Sequence, residues 1–377
     1  MKKNKPIWMR YVAAIMALLT MSLNAYAEDI YLTHAAKTEN QVTITDGEDG
    51  VMTVVSQGGD PFFQLTPLPR DLEDNETYII LEYQSDTSLP ELVEFFFSPI
   101  AGGREQHFDN GLAHTEGDEW RVAYMDITNA RKNFDWGAKG DFLRFDLGSK
   151  AATVKFRNIR VTTAPEYDPT ELVQIGTAEE LAAFMDRVNK NLHFGINAEL
   201  TADIDFTAYS KRLQFFSGNF NGAGHTLTVN YNVDGSYASP FEVLSGTVEN
   251  LIVKGTIACT EKYSGGIAGK TSGATIRNCC SFVDILPTIT GDGTHGGFVG
   301  INSSGVTFEN CLFAGAITSE TTTNCAGFIG WCGSKAVLSS CVQVGSVDLQ
   351  ESDLNIWARC PQNATLSNCY YLNPVAS

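Results

Sequence analysis

Two stretches of the chain collect the residue types that bind sugars. Thr128–Asp141 brings together Arg131, Asn133, Asp135 and Trp136. Gly102–Gly111 brings together Arg104, His107, Asp109 and Asn110. An exposed aromatic ring stacks on the apolar face of a sugar, while guanidinium, carboxylate and amide groups reach its hydroxyls. These eight residues are the candidate carbohydrate-binding set, with Trp136 as the candidate platform, its alternative role being a half-buried loop anchor. Trp120 opens a strand pattern and reads as core.

Other chemistries are poorly represented. The chain has no HExxH, no CxxC pair with zinc spacing and no nucleotide loop followed by a helix. GNFNGAG at Gly218–Gly224 reads as a tight turn, and His225 as a residue of that turn. Polysaccharide cleavage on a β-scaffold needs clustered carboxylates and a base on one face. Glu249 and Glu309 share a repeat position, but Arg277 lies between them, and Asp284, Asp292 and Asp348 do not align. A catalytic site is therefore not expected, and a glycan-active enzyme stands as the alternative. No cofactor is expected. A structural calcium in the sandwich is compatible with the acidic composition, but no ligand set is readable.

The elements that must position these residues fall into two groups. In the C-terminal part a glycine turn recurs about every thirty residues, as GGIAG at Gly265, GGFVG at Gly296 and AGFIG at Ala326. Four columns align with it. Thr247, Thr275, Thr307, Val337 and Thr365 form one, and Val248, Ile276, Phe308, Leu338 and Leu366 the next. Glu249, Arg277, Glu309, Ser339 and Ser367 follow, then Asn250, Asn278, Asn310, Ser340 and Asn368. A fixed period of this length means stacked coils sharing one core, and the columns suit a parallel β-helix of about five coils. Past the asparagine column the parity is ambiguous, because Cys279 and Cys280 both occupy apolar frames. Ahead of the repeats, Thr177 and Glu180 form a capping box, and Leu181, Phe184, Met185 and Val188 recur at helical spacing. The segments Ala198–Phe206 and Leu213–Tyr231 read as strands joined through a turn at Asn221-Gly222.

Upstream, seven runs read as strands: 41–45, 51–56, 77–83, 92–97, 121–127, 142–147 and 153–161. None has a helical period. They suggest an antiparallel β-sandwich of jelly-roll type.

Residues 1–27 read as a secretory signal, with Lys2, Lys3, Lys5 and Arg10 ahead of an apolar run and cleavage between Ala27 and Glu28. No later run is long enough to span a membrane. Removing those four basic residues takes the net charge from −18 to about −22. Such a balance argues against nucleic acid and anionic membrane surfaces as partners. All nine cysteines follow residue 258. An odd number at repeat-equivalent positions favours a mainly reduced ladder, in which Cys279, Cys311 and Cys341 stack. Cys332–Cys360 is the best candidate for a disulfide.

The repeats resemble the GLUG-motif family, with its GG-hydrophobic-x-G turn and following NC step. "IGTAEELAAFMDRVNK" (Ile175–Lys190), "AELTADIDF" (Ala198–Phe206) and "FSGNFNGAGHTLTVNY" (Phe216–Tyr231) are similar to that family's entry, a capping helix leading into a first coil. The departures are Ala326 for a glycine and a last coil, Asn355–Leu372, without the glycine motif. The upstream half resembles galactose-binding-like modules of bacterial glycan-degrading systems, through "EWRVAYMDIT" (Glu119–Thr128) and "DFLRFDLG…VKFRNIRV" (Asp141–Val161). Together these resemblances imply a secreted bacterial protein of Bacteroidetes type.

The fold class expected is mainly β. A signal peptide occupies 1–27, a jelly-roll sandwich 28–165, a linker 166–174, and a short parallel β-helix with an N-terminal capping helix 175–377. The function expected is non-catalytic glycan binding or adhesion in the periplasm, at the outer surface or outside the cell, with the β-helix as spacer or platform. A structural role in an envelope assembly is a further alternative.

Overall fold

The structure is a computed structural model, and it describes residues 29–47, 50–87, 93–100, 103–109, 112, 114–115, 120–348 and 357–372. The candidate residue Asn110 and the expected cleavage point at Ala27 and Glu28 lie outside the described residues.

The first unit is an antiparallel sandwich. Its six-stranded sheet runs in the order Val42–Asp46, Met52–Gln57, Ala151–Thr162, Tyr78–Ser85, Arg121–Asp126, with Ile30–Tyr31 pairing onto Ala151–Thr162. Its four-stranded sheet runs Phe62–Gln64, Leu143–Asp146, Glu94–Phe97, Glu105–His107. All seven expected strands are present within two residues. Strand alternation sends Met52, Val54, Val154 and Phe156 inward. There the rings of Phe63, Phe95, Phe145 and Phe156 meet with centroids 4.5–5.2 Å apart.

One element departs from the all-strand expectation. Thr128–Phe134 is a seven-residue helix, α1, where a loop was expected. It is too short to show a period, and it buries only Ala130. Asp135 ends it in the left-handed conformation, φ 51°.

The second unit is a parallel solenoid. One face stacks eight strands in the order Leu172–Ile175, Asn197–Leu200, Asn219–Asn221, Thr247–Glu249, Ala274–Arg277, Val306–Glu309, Ala336–Ser339 and Ala364–Ser367. This exceeds the expected five coils, because the aligned columns begin at Thr247 and the first three rungs precede them. The first rung also falls inside the segment expected to be a linker. Asn221-Gly222 is a corner between two solenoid faces and not a hairpin turn, since its flanking strands pair in parallel with other coils. The aligned columns match the observed register: Thr247 with Thr275, Thr275 with Thr307, Thr307 with Val337, and Val337 with Thr365.

The asparagine column explains the corner. Asn250, Asn278, Asn310, Ser340 and Asn368 all adopt φ between 51° and 54°. Asparagine tolerates this left-handed region better than most residues. Three of the amides donate to the coil before: Asn250 Nδ2 to Asn221 Oδ1 at 2.9 Å, Asn278 to Asn250 at 3.0 Å and Asn310 to Asn278 at 3.2 Å. Past this turn Cys279 points into the core and Cys280 is half-buried, which resolves the parity.

The last glycine of the repeat motif allows a close approach between coils. A Cβ on Gly269 would lie 2.5 Å from the Tyr237 Cβ, and one on Gly300 would lie 2.1 Å from the Tyr263 carbonyl oxygen.

Helix α2, Ala178–Asn191, covers the first end of the core. Thr177 accepts from the Glu180 amide, and the Glu180 carboxylate reaches back to the Gly176 amide at 2.7 Å. Leu181, Phe184, Met185 and Val188 are all buried, with Phe184 against Phe216 and Phe220. Burying them is worth on the order of 6–10 kcal/mol before entropy. The helix links Leu172–Ile175 to Asn197–Leu200, which pair in parallel. At the other end Tyr370, Tyr371 and Leu372 do not close the core, since Tyr370 is 67% exposed. Trp357 packs there instead, 5.1 Å from Phe328.

The two units touch. Ile80, Val122 and Tyr124 on the outer face of the six-stranded sheet pack with Leu192 of the solenoid. Beside them Arg121 Nη2 donates to Glu242 at 2.6 Å, and Arg212 Nε donates to the other carboxylate oxygen at 3.0 Å. All three side chains are buried. Among the described residues, no helix is long and apolar enough to cross a membrane.

Candidate functional site

The expected platform is not one. Trp136 is 3% exposed, its ring meets Phe97 edge-on at 5.1 Å, and its Nε1 donates to the Phe142 carbonyl at 3.2 Å. It is a core residue, because the short helix α1 turns the following chain inward. Arg131 is a staple. Its guanidinium donates to the carbonyls of Leu72, Glu73, Asp74 and Glu76. Arg104 donates to the carbonyls of Ser98 and Phe134. Asn133 and Asp135 are exposed. His107 sits on an edge strand 3.7 Å from Glu94. Asp109 accepts from the Asp126 amide at 2.9 Å, and burial raises its pKa. The structure does bring Arg131, Asp135 and Trp136 to one open depression of about 440 Å³. No aromatic face lies bare in it, because Trp136 contributes from within the core.

A better-built surface lies on the outer face of the six-stranded sheet. Register places Thr45 beside Thr53, Thr53 beside Lys155, and Lys155 beside Gln84. Tyr83 pairs with Arg121, so Trp120 continues the row past Gln84. These five side chains, with Gly47 and Val51, line a groove of about 420 Å³. Trp120 is half-buried, and the Arg157 guanidinium lies 3.9 Å from its ring centroid. Arg157 is itself fixed by Glu82, with Nε 2.8 Å and Nη2 2.6 Å from Oε2. Asn158 donates to the other oxygen of Glu82 at 2.8 Å. The indole is therefore held in one orientation before any ligand arrives. It faces a row of amide, hydroxyl and ammonium groups, which can stack a sugar ring and bond its hydroxyls.

The sequence did not mark Trp120 because alternation fails on this strand. Trp120, Val122 and Tyr124 share one face, while Ala123 and Met125 occupy the other, and both faces are apolar. The second apolar face exists because the solenoid covers Val122 and Tyr124.

The remaining reactive groups are quiet. Burial pushes the Cys259 thiol up to about 11 and Cys279 up to about 12. Cys279, Cys311, Cys341 and Cys369 occupy one column, each with its thiol on the carbonyl two residues before it. Cys332 and Cys360 are free thiols. That pair is out of register. Ile329 bridges Ala358, which sets Cys332 opposite the residue after Cys360, and Cys360 turns away at φ 59°. His225 lies 3.4 Å from Asp203 in its turn. Among the described residues, no three His, Cys, Asp or Glu side chains converge as metal ligands.

No protein-family model matches the chain, and no curated protein matches it. Solved structures similar to it include a family 29 carbohydrate-binding module from Piromyces equi, at 9% identity and a TM-score of 0.25 over 36% of this chain and 89% of that one. SGBP-B from a complex xyloglucan utilization locus in Bacteroides uniformis matches at 12% identity and a TM-score of 0.21, over 37% of this chain and 47% of that one. The catalytic unit of a GH87 alpha-1,3-glucanase from Streptomyces thermodiastaticus matches at 9% identity and a TM-score of 0.24, over 91% of this chain and 86% of that one. At these values none of them assigns an activity to this chain.

Proposed function

We propose that this is an exported, non-catalytic glycan-binding protein. The sandwich carries the site and the solenoid is a rigid platform. The observation that carries this reading is Trp120, held by Arg157 at the end of a row of hydrogen-bonding side chains in an open groove. Two of the carboxylates that a lyase reading would recruit are already engaged: Asp292 by Lys262 and Arg359, and Glu249 by two donors. Glu249 accepts from Arg277 at 2.7 Å and from Asn219 at 2.9 Å. The repeat pattern of the GLUG type fits a secreted bacterial surface protein of this kind. A glycan array probed with the mature chain and with Trp120→Ala tests the reading. Retention by the mature chain and loss of at least tenfold in the variant support it. Equal retention by both removes the site, and release of reducing ends from a bound glycan removes the non-catalytic assignment.

A further inference from the structure

The nine-stranded sheet of the solenoid turns a polar outer face at one end and an apolar one at the other. In Thr226–Val233 the outward residues are Thr226, Thr228, Asn230 and Asn232, while the residues between them are buried. Two rungs on, in Cys280–Pro287, the outward residues include Phe282 and Leu286, 42% and 41% exposed. Strand alternation decides which side chains face out, so the change is written in the sequence.

Register carries the apolar character onward. Ile252, Cys280, Leu312, Val342 and Tyr370 form one outward column. Lys254 pairs with Phe282 in the next column. Ser281 pairs with Phe313 and Asp284 with Ala316, which sets Phe282 beside Ala314. Phe313 pairs with Gln343, which sets Ala314 beside Val344, itself 40% exposed. The eight-stranded face of the same coils turns Thr247, Thr275 and Thr307 outward, with Glu249, Arg277 and Glu309 beside them. A contiguous apolar strip on one face alone marks an interaction surface. Five rungs about 4.8 Å apart, with strands of up to eight residues at about 3.3 Å each, make a face of roughly 20 by 25 Å, or about 500 Å². Two such faces bury about 1,000 Å², the threshold for a specific interface and the size of a reversible one.

The relief of the strip selects its occupant. Phe282 is a protruding ring, and Ala314, one rung on in the same column, leaves a hollow beside it. A two-fold axis parallel to the strands and midway between these rungs places each Phe282 over Ala314 of a second copy. The same operation sets Asp284 over Ala316, Lys254 over Val344 and Tyr370 over Thr226, so no charge meets a like charge. An axis along the solenoid through this column would instead set Lys254 over Lys254 and Phe282 over Phe282. A net charge of −18 opposes an anionic lipid surface as the occupant.

We propose that this strip is a self-association surface, where a second copy of the chain docks with its solenoid antiparallel and each Phe282 ring sits over Ala314 of the other copy. The proposal goes beyond the sugar-site reading and is independent of it. The test is sedimentation velocity of the mature chain from about 1 to about 100 µM, with Phe282→Lys, Ala314→Glu and their equimolar mixture. For the mature chain the mean mass rises from one chain towards two. The rise is steeper in about 0.5 M than in about 0.05 M salt, because two acidic copies repel each other. Each variant alone keeps the mass of one chain and the parent's melting temperature, since both positions face outward. The mixture regains the mass of two chains. In it the introduced lysine and glutamate face each other across one half of the interface, while Phe282 and Ala314 meet across the other. A one-chain mass of the parent at every concentration overturns the proposal. So does association undiminished in either variant, or a mixture that stays at one chain. Flotation of the parent with phosphatidylcholine vesicles, lost in Phe282→Lys and without any rise in mass, gives the strip to a lipid surface and overturns it as well.

Discussion

Glu242→Gln tests how the two units are joined. The carboxylate accepts from Arg121 at 2.6 Å and from Arg212 at 3.0 Å, and all three side chains are buried. Glutamine keeps one oxygen acceptor but removes the charge that two buried guanidiniums face. Breaking a buried ion pair by removing one partner costs about 3–5 kcal/mol, and the retained acceptor places this variant near about 3 kcal/mol. Urea unfolding followed by tryptophan fluorescence, with limited proteolysis between residues 163 and 171, reads the loss. Replacing the whole triad with apolar side chains, Arg121→Met with Arg212→Met and Glu242→Leu, should restore most of the stability, because no buried charge is then left unmatched. The pH dependence has a definite sign. Burial raises the Glu242 pKa, but Arg121 and Arg212 outweigh it and hold the carboxyl below its ordinary 4.5. A depressed carboxylate stabilises the fold above its unfolded value, and that stability is lost as pH falls through the folded value. Glu242→Gln should therefore lose less stability on acidification below pH 4.5 than the parent. An unchanged urea midpoint, within about 0.5 kcal/mol, would refute the reasoning.

Three further outcomes follow from single side chains. His295 is buried and neutral, its Nδ1 accepting from the Ser264 amide at 3.1 Å, and burial lowers its pKa from 6.5 to about 3. The unfolded chain takes up a proton below pH 6.5 that the folded chain refuses. Stability should therefore fall by up to about 1.4 kcal/mol per pH unit between 6.5 and 5, and His295→Ser should remove that slope in paired denaturation series. Asn278→Ala should cost about 2–3 kcal/mol, from the left-handed backbone and two ladder bonds, with Asn278→Gly recovering the backbone part. Equal midpoints for the alanine and glycine variants would show that backbone strain is not involved. Trp136→Ala should destabilise by about 3–5 kcal/mol as a core cavity, with glycan affinity of the remaining folded protein unchanged.

The solenoid was legible in the sequence because stacking puts equivalent residues in contact. The four columns from Thr247 to Asn368 therefore repeat side-chain type and not merely polarity. Helix α2 was legible through its capping box and its single apolar face. The rungs before Thr247 were not counted, because they carry Ile175, Leu200 and Gly222 at the corner where the later rungs carry Asn or Ser. The sugar-binding candidates misled for a physical reason. Composition marks Arg131 and Arg104 as polar, but their guanidiniums are consumed by backbone carbonyls. Trp136 sits among polar neighbours in sequence while a seven-residue helix turns it inward. Trp120 was hidden by a strand apolar on both faces. The tie from Arg121 to Glu242 joins residues 121 apart, a pairing no local pattern announces.

The central claim is that the ligand stacks on Trp120 and not on Trp136. The direct measurement is the set of indole N–H resonances of the nitrogen-15-labelled mature chain, assigned by single tryptophan-to-phenylalanine variants and titrated with a glycan retained on the array. The account predicts a saturable shift of the Trp120 indole at substoichiometric to stoichiometric ligand, while the Trp136 indole, bonded to Phe142 in the core, stays in place. A shift of Trp136 with Trp120 unmoved would contradict it.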